Sequence, residues 1–459
     1  MRVMERIRPG TRVAGPENIQ LAEGYRIEPL VENLNYPTSV TWDPDGLLLI
    51  AESRFPYGKS GPSEPRILRR TDQGALEPMA TGFRELINDI TYYGGLLYVA
   101  HRGTISVVED GRIRDLIGGL PAWGMHHNNS IVFDRSGRMY FGQGTVSNAG
   151  VVDPLTVRAL QESGHLADHD VPGAAIVLAG KDYEVMNPLT KEVRRTGAFS
   201  PWGVPTTRGQ RIEAPCPGQA ATGAIMRANR DGSDLRVYAW GLRNPFGLAF
   251  DAEGRLFAAN NGANLMPPRP VANDPDTLWQ IEEGTWYGWP DFFAGRPATE
   301  PEFQPPEGPP LEFLIANHDE LLKGRPSPPK PLVNLGHNVS PDKFDFCLHP
   351  EFGFHNQAFV AEFGPMLAML GGAPPDLPGG RKVVRVDVER HTVHDFASNR
   401  AGPPSHNGNQ GGFERPVEAK FGPDGALYIV DFGITEWGDG MWQAIEGTGI
   451  VWKVTRTSG

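Results

Sequence analysis

Several short segments concentrate residue types that can do chemistry. Met125-His126-His127-Asn128-Asn129 sets two adjacent histidines ahead of an apolar run. An imidazole titrates near neutral pH, which suits it to taking a proton; a histidine satisfied within a core is the structural alternative for either ring. Arg243-Asn244 offers a planar fork for a carboxylate, or equally a salt bridge between strands. Glu52, Asn129, Asn260, Asn261 and Asp431 stand near the ends of apolar runs and carry the oxygens that a divalent cation takes. Trp123, Trp202, Trp279, Trp286, Tyr287 and Trp289 could stack on a sugar or fill a core.

The elements that must position these residues are short strands. One pattern recurs: an apolar alternation, an Asp/Gly turn, then a second apolar strand. It reads Ser39-Val-Thr-Trp-Asp-Pro-Asp-Gly-Leu-Leu-Leu-Ile, returns from Ser130 and from Gly247, and returns again from Val417 to Val430. Weaker copies start at Ile90, with a shortened turn, and at Phe344, with a lengthened one. Each copy reads as a β-hairpin. A lone hairpin cannot bury its apolar face, so the copies must stack. Gly46, Gly95 and Gly137 lie 49 and 42 residues apart, close to the roughly 40–45 residues of one propeller blade. The expected fold is therefore all-β, a six-bladed β-propeller with long inserted loops. Residues 1–19 read as an N-terminal extension and 20–459 as a single propeller domain, with insertions at about 146–222 and 263–335.

Composition narrows the function classes. A net charge of −12 without a strong Lys/Arg cluster argues against nucleic acid as a partner. No apolar run reaches the length of a membrane span, and the basic start Met1–Gly10 lacks the apolar stretch of an export signal. Cys216 and Cys347 form no CxxC motif, so a zinc ribbon is not expected; one long-range disulfide and two inert thiols remain open.

Three segments carry a family resemblance. Trp240-Gly-Leu-Arg-Asn-Pro-Phe-Gly-Leu-Ala-Phe-Asp, Gly284-Thr-Trp-Tyr-Gly-Trp-Pro and Met125-His-His-Asn-Asn-Ser-Ile-Val-Phe-Asp resemble, in order, motifs of the soluble pyrroloquinoline-quinone (PQQ) sugar dehydrogenases. The resemblance spans roughly residues 20–455 and implies six blades. It also implies hydride transfer from a sugar, or a related alcohol or aldehyde, to PQQ, with Ca²⁺ polarising the quinone and an unidentified acceptor taking the electrons. The register of Ile131-Val-Phe makes His126 the implied general base, with His127 on the other side of the strand. Arg243, Asn244, Arg415 and Asn338 are the implied cofactor contacts. Gly262 and Ala263 match the pair whose backbone carbonyls hold the calcium. A periplasmic or secreted location is likewise implied by the family alone.

The chain departs from that pattern in three places. Arg415-Pro-Val417 keeps one arginine where the family often has two, Gly364 stands where a cofactor lysine is expected, and Asp291-Phe-Phe-Ala-Gly-Arg-Pro lacks the side chains of a second calcium site. Lys181, Arg208 and Arg269 in the inserted loops are candidate replacement cations. This places the chain nearer the sorbosone-dehydrogenase-like branch than the glucose enzymes. Two other functions suit the same architecture: a metal-dependent lactonase-type hydrolase, which needs side-chain ligands converging on an ion, and a non-catalytic carbohydrate-binding propeller.

Overall fold

The computed structural model describes residues 12–457 apart from 57, 84–85, 367–378, 403–410 and 439–440. The first eleven residues of the expected extension lie outside the described set. The fold is a six-bladed β-propeller, as the repeat predicts. Blades one to four are separate four-stranded sheets, while blades five and six are joined into one nine-stranded sheet by a parallel bridge between Lys343 and Glu418, with Ile19–Leu21 at its edge. Blade one contains Pro37–Trp42, Leu48–Glu52, Arg66–Arg70 and Leu76–Thr81; blade two runs from Ile87 to Ile117. Blade three contains Asn128–Phe133, Met139–Gln143, Ala224–Ala228 and Arg236–Trp240. Blade four contains Asn244–Phe250, Leu256–Asn261, Asp276–Ile281 and Val333–Gly336. Blade five contains Pro341–Phe346, Ala358–Glu362, Lys382–Asp387 and Thr392–Asn399. Blade six takes Pro416–Phe421, Leu427–Asp431 and Gly449–Arg456 from the end of the chain and Tyr25–Leu34 from its start. These last two pair antiparallel, with Tyr25 opposite Arg456.

The recurring turn has one physical design. In Asp43–Gly46, Asp134–Gly137 and Asp251–Gly254 the aspartate Oδ1 accepts backbone N–H groups two and four residues on. The glycine N–H returns to the aspartate carbonyl at 2.9–3.0 Å, and the glycine sits at φ +78 to +82. An L side chain is disfavoured there, and the turn fixes the register of the strands it joins.

The chain divides into two compact units. The first comprises Met1–His101, Val107–Arg114 and Val339–Gly459. Its apolar layers include Phe359, Phe396, Leu427 and Trp452, and separately Val40, Ile50, Val430 and Val451. The first strands of its blades meet through buried charge: Lys343 Nζ lies 3.1 Å from Asp89 and 3.3 Å from Glu418, and Glu418 accepts the Val40 N–H at 2.6 Å. The second unit comprises Arg102–Ser106 and Asp115–Asn338. Ile225, Leu248, Ala258 and Trp279 pack in the layer between blades three and four.

Both expected insertions belong to the second unit. Residues 144–223 enter between the second and third strands of blade three and carry the helix Pro154–Ser163. Asp153 caps this helix by accepting the Thr156 N–H at 2.9 Å, and Gly164 closes it at φ +78. The stretch 263–335 also contains the third strand of blade four and most of the fourth, so the segment outside that sheet narrows to 262–275 and 282–332. Both cysteines are free; Cys216 is exposed and Cys347 buried, so the disulfide alternative is not realised.

Candidate functional site

In the second unit, His126 ends the loop that leads into the first strand of blade three. Its backbone N–H donates to the Thr145 carbonyl at 3.2 Å. Its Nδ1 lies 3.0 Å from the same carbonyl and 3.1 Å from Thr145 Oγ1. The Thr145 hydroxyl donates its own proton to the Ser147 carbonyl at 2.7 Å. Both neighbours of Nδ1 therefore act as acceptors, so Nδ1 carries the proton and Nε2 keeps its lone pair. Among the described residues Nε2 has no hydrogen-bond partner. Burial, then the Arg243 charge, push the His126 pKa well below 6.5, against a raising contribution from the Thr145 hydrogen bond. The ring is thus neutral at pH 7, in the tautomer a general base needs.

His127 faces a different environment. Its Nε2 lies 3.3 Å from Arg102 Nη2, Arg102 stands 4.8 Å over the Trp123 ring, and that ring also stacks on His165. Its carbonyl accepts the Gly144 N–H.

Gly144 is the point where His126 meets Asn244. A β-carbon at residue 144 would lie 2.3 Å from His126 Cβ and 2.6 Å from Asn244 Oδ1. Asn244 Oδ1 accepts from Asn129 Nδ2 at 3.0 Å, and its Nδ2 donates to Asn261 Oδ1 at 2.6 Å. Asn260 Oδ1 receives the backbone N–H groups of both Arg243 and Asn244, each at 3.0 Å. The Arg243 guanidinium, buried, donates to the Asn148 carbonyl and to Asn148 Oδ1, the latter at 3.0 Å. Asn148 also clasps Asn264, accepting its N–H at 2.9 Å and donating to its carbonyl at 2.8 Å.

The turn at Gly262 and Ala263 suits a hard cation. The Gly262 N–H donates to Asp276 Oδ1 at 2.7 Å and the Ala263 N–H to Asp274 Oδ2 at 2.6 Å. The two carbonyl oxygens accept no hydrogen bond among the described residues, as backbone ligation of Ca²⁺ requires. Asp274 keeps some exposure, yet the desolvation around it pushes its carboxyl up to about 7.

The structure thus brings His126, Arg243, Asn244, Gly262 and Ala263 into one hydrogen-bonded neighbourhood. Asn338 follows the last strand of blade four at φ +56 and makes no side-chain hydrogen bond among the described residues. Arg415 lies in the first unit, buried, with Nε on Thr435 Oγ1 and Nη1 on the Phe363 and Pro365 carbonyls. Asn148, Thr145 and Gly144 escaped the sequence reading; no repeat or motif marks them, and they act only through tertiary contacts.

Of the replacement cations expected from the loops, Arg269 and Lys181 are engaged elsewhere and Arg208 faces solvent. Arg269 is buried against the Ala149, Pro290 and Glu312 carbonyls and Asp291, and Lys181 pairs with Glu312 at 2.6 Å. The oxygens proposed for a hydrolase metal are tied up as well. Glu52 pairs with Arg66 at 2.6 Å and Asp431 with Arg12 at 2.5 Å, while the three asparagines bond as described above. Among the described residues no group of three or more His, Cys, Asp or Glu could hold a metal ion. Trp202, Trp279, Trp286, Tyr287 and Trp289 are core residues, buried to 6% exposure or less.

Residues 210–307 match the model of the family described as Glucose / Sorbosone dehydrogenase. The chain resembles the PQQ sugar dehydrogenases. The matched stretch contains Arg243, Asn244, Gly262, Ala263 and the Gly-Trp-Pro turn. No curated protein matches the chain. Among solved structures, the PQQ domain of pyranose dehydrogenase from Coprinopsis cinerea in its holo form is 17% identical, with a TM-score of 0.58 over 95% of this chain and 97% of that one. A calcium structure of a Trichoderma reesei carbohydrate-active enzyme of family AA12 gives 16% identity and 0.53 over 97% and 99%. The soluble aldose sugar dehydrogenase of Escherichia coli in its apo form gives 13% and 0.52 over 94% and 99%. At these identities the likeness is one of fold. Among the described residues no helix is long and apolar enough to cross a membrane.

Proposed function

We propose that the protein is an oxidoreductase that oxidises a sugar, or a related alcohol or aldehyde such as sorbosone, with PQQ and Ca²⁺ as cofactors. The observation that carries this reading is the open Nε2 of a neutral His126, set beside Asn244 across Gly144. When bound, PQQ would supply the hydride acceptor and Ca²⁺ the polarisation of its carbonyl oxygen. His126 Nε2 takes the proton of the substrate hydroxyl, which otherwise holds back hydride departure. Thr145 keeps the ring in the required tautomer. Arg243, oriented by Asn148, offers its cationic fork to a ligand carboxylate, and Asn244 contributes an amide beside it. The Gly262 and Ala263 carbonyls hold the cation. For Arg415 and Asn338 the role at the cofactor rests on the motif register. The family match and the fold of sugar dehydrogenases support the substrate class, and by the same resemblance we place the protein in the periplasm or outside the cell, passing electrons to an acceptor of its own.

The test is reconstitution. Apo-protein given PQQ and Ca²⁺ is expected to gain thermal stability and to reduce a dye with at least one of a panel of aldoses, sorbosone and simple alcohols. No dye reduction with any of them, together with no PQQ-induced rise in Tm, refutes the reading.

A further inference from the structure

In the first unit, two arginine side chains crowd one glycine. Gly364 follows the second strand of blade five and sits at φ +89. A β-carbon there would lie 2.9 Å from Arg381 Cγ and 3.2 Å from Arg415 Nη1. The space a side chain at 364 would enter is thus taken by two others, both buried, at 6% and 3% exposure. Every hydrogen bond of the Arg415 guanidinium goes to a neutral oxygen, those of Thr435, Phe363 and Pro365. Its Nη2 has no hydrogen-bond partner, and the guanidinium forms no ion pair, among the described residues. Phe363 and Trp442 rings stand 5.2 and 5.7 Å from its central carbon. Burial, and next the charge of Arg381, push Arg415 down to about 9; Glu414, Asp431 and Asp342 act the other way and do not offset this. A buried guanidinium that no described carboxylate pairs with is expensive to keep, and a planar fork with a donor unused among the described residues matches a carboxylate.

We propose that Arg381 and Arg415, brought together over Gly364, form the seat for a carboxylate of the ligand. Arg381 then provides, from the start of the third strand of blade five, the charge that a lysine at residue 364 would have provided. The missing lysine is replaced from a neighbouring strand and not from the inserted loops. This rests on the function proposed above only in naming PQQ as the natural carboxylate.

The experiment is equilibrium binding to the apo-protein by calorimetry, with benzene-1,3-dicarboxylate, its uncharged dimethyl ester and PQQ as separate probes. The wild type is expected to bind the dicarboxylate and PQQ but not the ester. Arg381→Gln should weaken both carboxylate probes by about 30-fold or more, and Arg381→Lys should recover most of the loss. Equal binding of ester and dicarboxylate by the wild type overturns the seat without any variant. So does a folded Arg381→Gln protein with unchanged Kd for both probes, or a wild type that binds neither. If Arg381-dependent dicarboxylate binding is found but PQQ does not bind, the seat stands and the PQQ reading fails. If PQQ binds the wild type and Arg381→Gln equally, the reverse holds.

Discussion

Replacing Gly144 with alanine adds one methyl group where His126 and Asn244 meet. The new carbon would start 2.3 Å from His126 Cβ and 2.6 Å from Asn244 Oδ1. Carbon atoms in contact stand about 3.5–4.0 Å apart, so the histidine must retreat by about 1 Å or more. It cannot turn freely, because both its backbone N–H and its Nδ1 are held by Thr145. Gly144 is not in the left-handed region, so backbone strain does not contribute. Overpacking of this kind costs about 1–3 kcal/mol of stability. A displacement of about 1 Å at a reacting group costs about 10²-fold in rate. Gly144→Ala should therefore fold, lose a few degrees of Tm, and lower kcat in the dye assay by about 10²-fold. Gly118→Ala is the control, since a β-carbon there meets no heavy atom within 4 Å and φ is not positive; it should leave both quantities unchanged. A folded Gly144→Ala protein with the turnover of the wild type would show that His126 and Asn244 do not need this approach, and would remove them as partners in the chemistry.

Three further outcomes follow from the same geometry. His126→Ala should lower kcat by about 10²–10⁴-fold, and near-normal turnover would exclude it as the base. The base works when neutral, so activity falls only as pH drops through its pKa; because that pKa lies well below 6.5, kcat/KM should stay level at and below pH 6.5, and Arg243→Met, which removes the second cause of the depression, should move the acid limb to higher pH. An acid limb centred at or above 6.5 in the wild type contradicts the neutral, buried imidazole. Asp291→Ala removes the carboxylate that accepts the Leu314 and Ile315 N–H groups and pairs with Arg269 and His318, and should cost about 3–5 kcal/mol in denaturant unfolding; a loss under about 1 kcal/mol would place that cluster among the dispensable surface pairs.

What the sequence made legible was whatever the chain encodes locally. The Asp-x-x-Gly turn builds its own hydrogen bonds within five residues, and the Gly422–Gly425 turn of blade six closes through the same glycine N–H to carbonyl bond, so the hairpins of blades one, three, four and six could be read without knowing their neighbours. The third and fourth strands of blade four could not: no such turn joins them, and an insertion of fifty-one residues, 282–332, separates one from the other. Tyr25–Leu34 was equally hidden, since its partner Gly449–Arg456 lies at the opposite end of the chain.

The same division runs through the site. His126 and Arg243-Asn244 stand in motifs whose register the following strand fixes, so their numbers were available from the sequence. Which histidine tautomer forms is decided by Thr145, and the Thr145 hydroxyl is in turn committed by Ser147, a two-step dependence that no spacing reveals. Arg243 is aimed by Asn148, 95 residues away in the chain. Arg381 is the sharpest case. A search for a replacement cation by sequence turns to long loops, where insertions change fastest, and it misses a residue that reaches the position because a glycine vacates it. An absent side chain at 364 and a present one at 381 carry one piece of information, and only the packing of the two strands joins them.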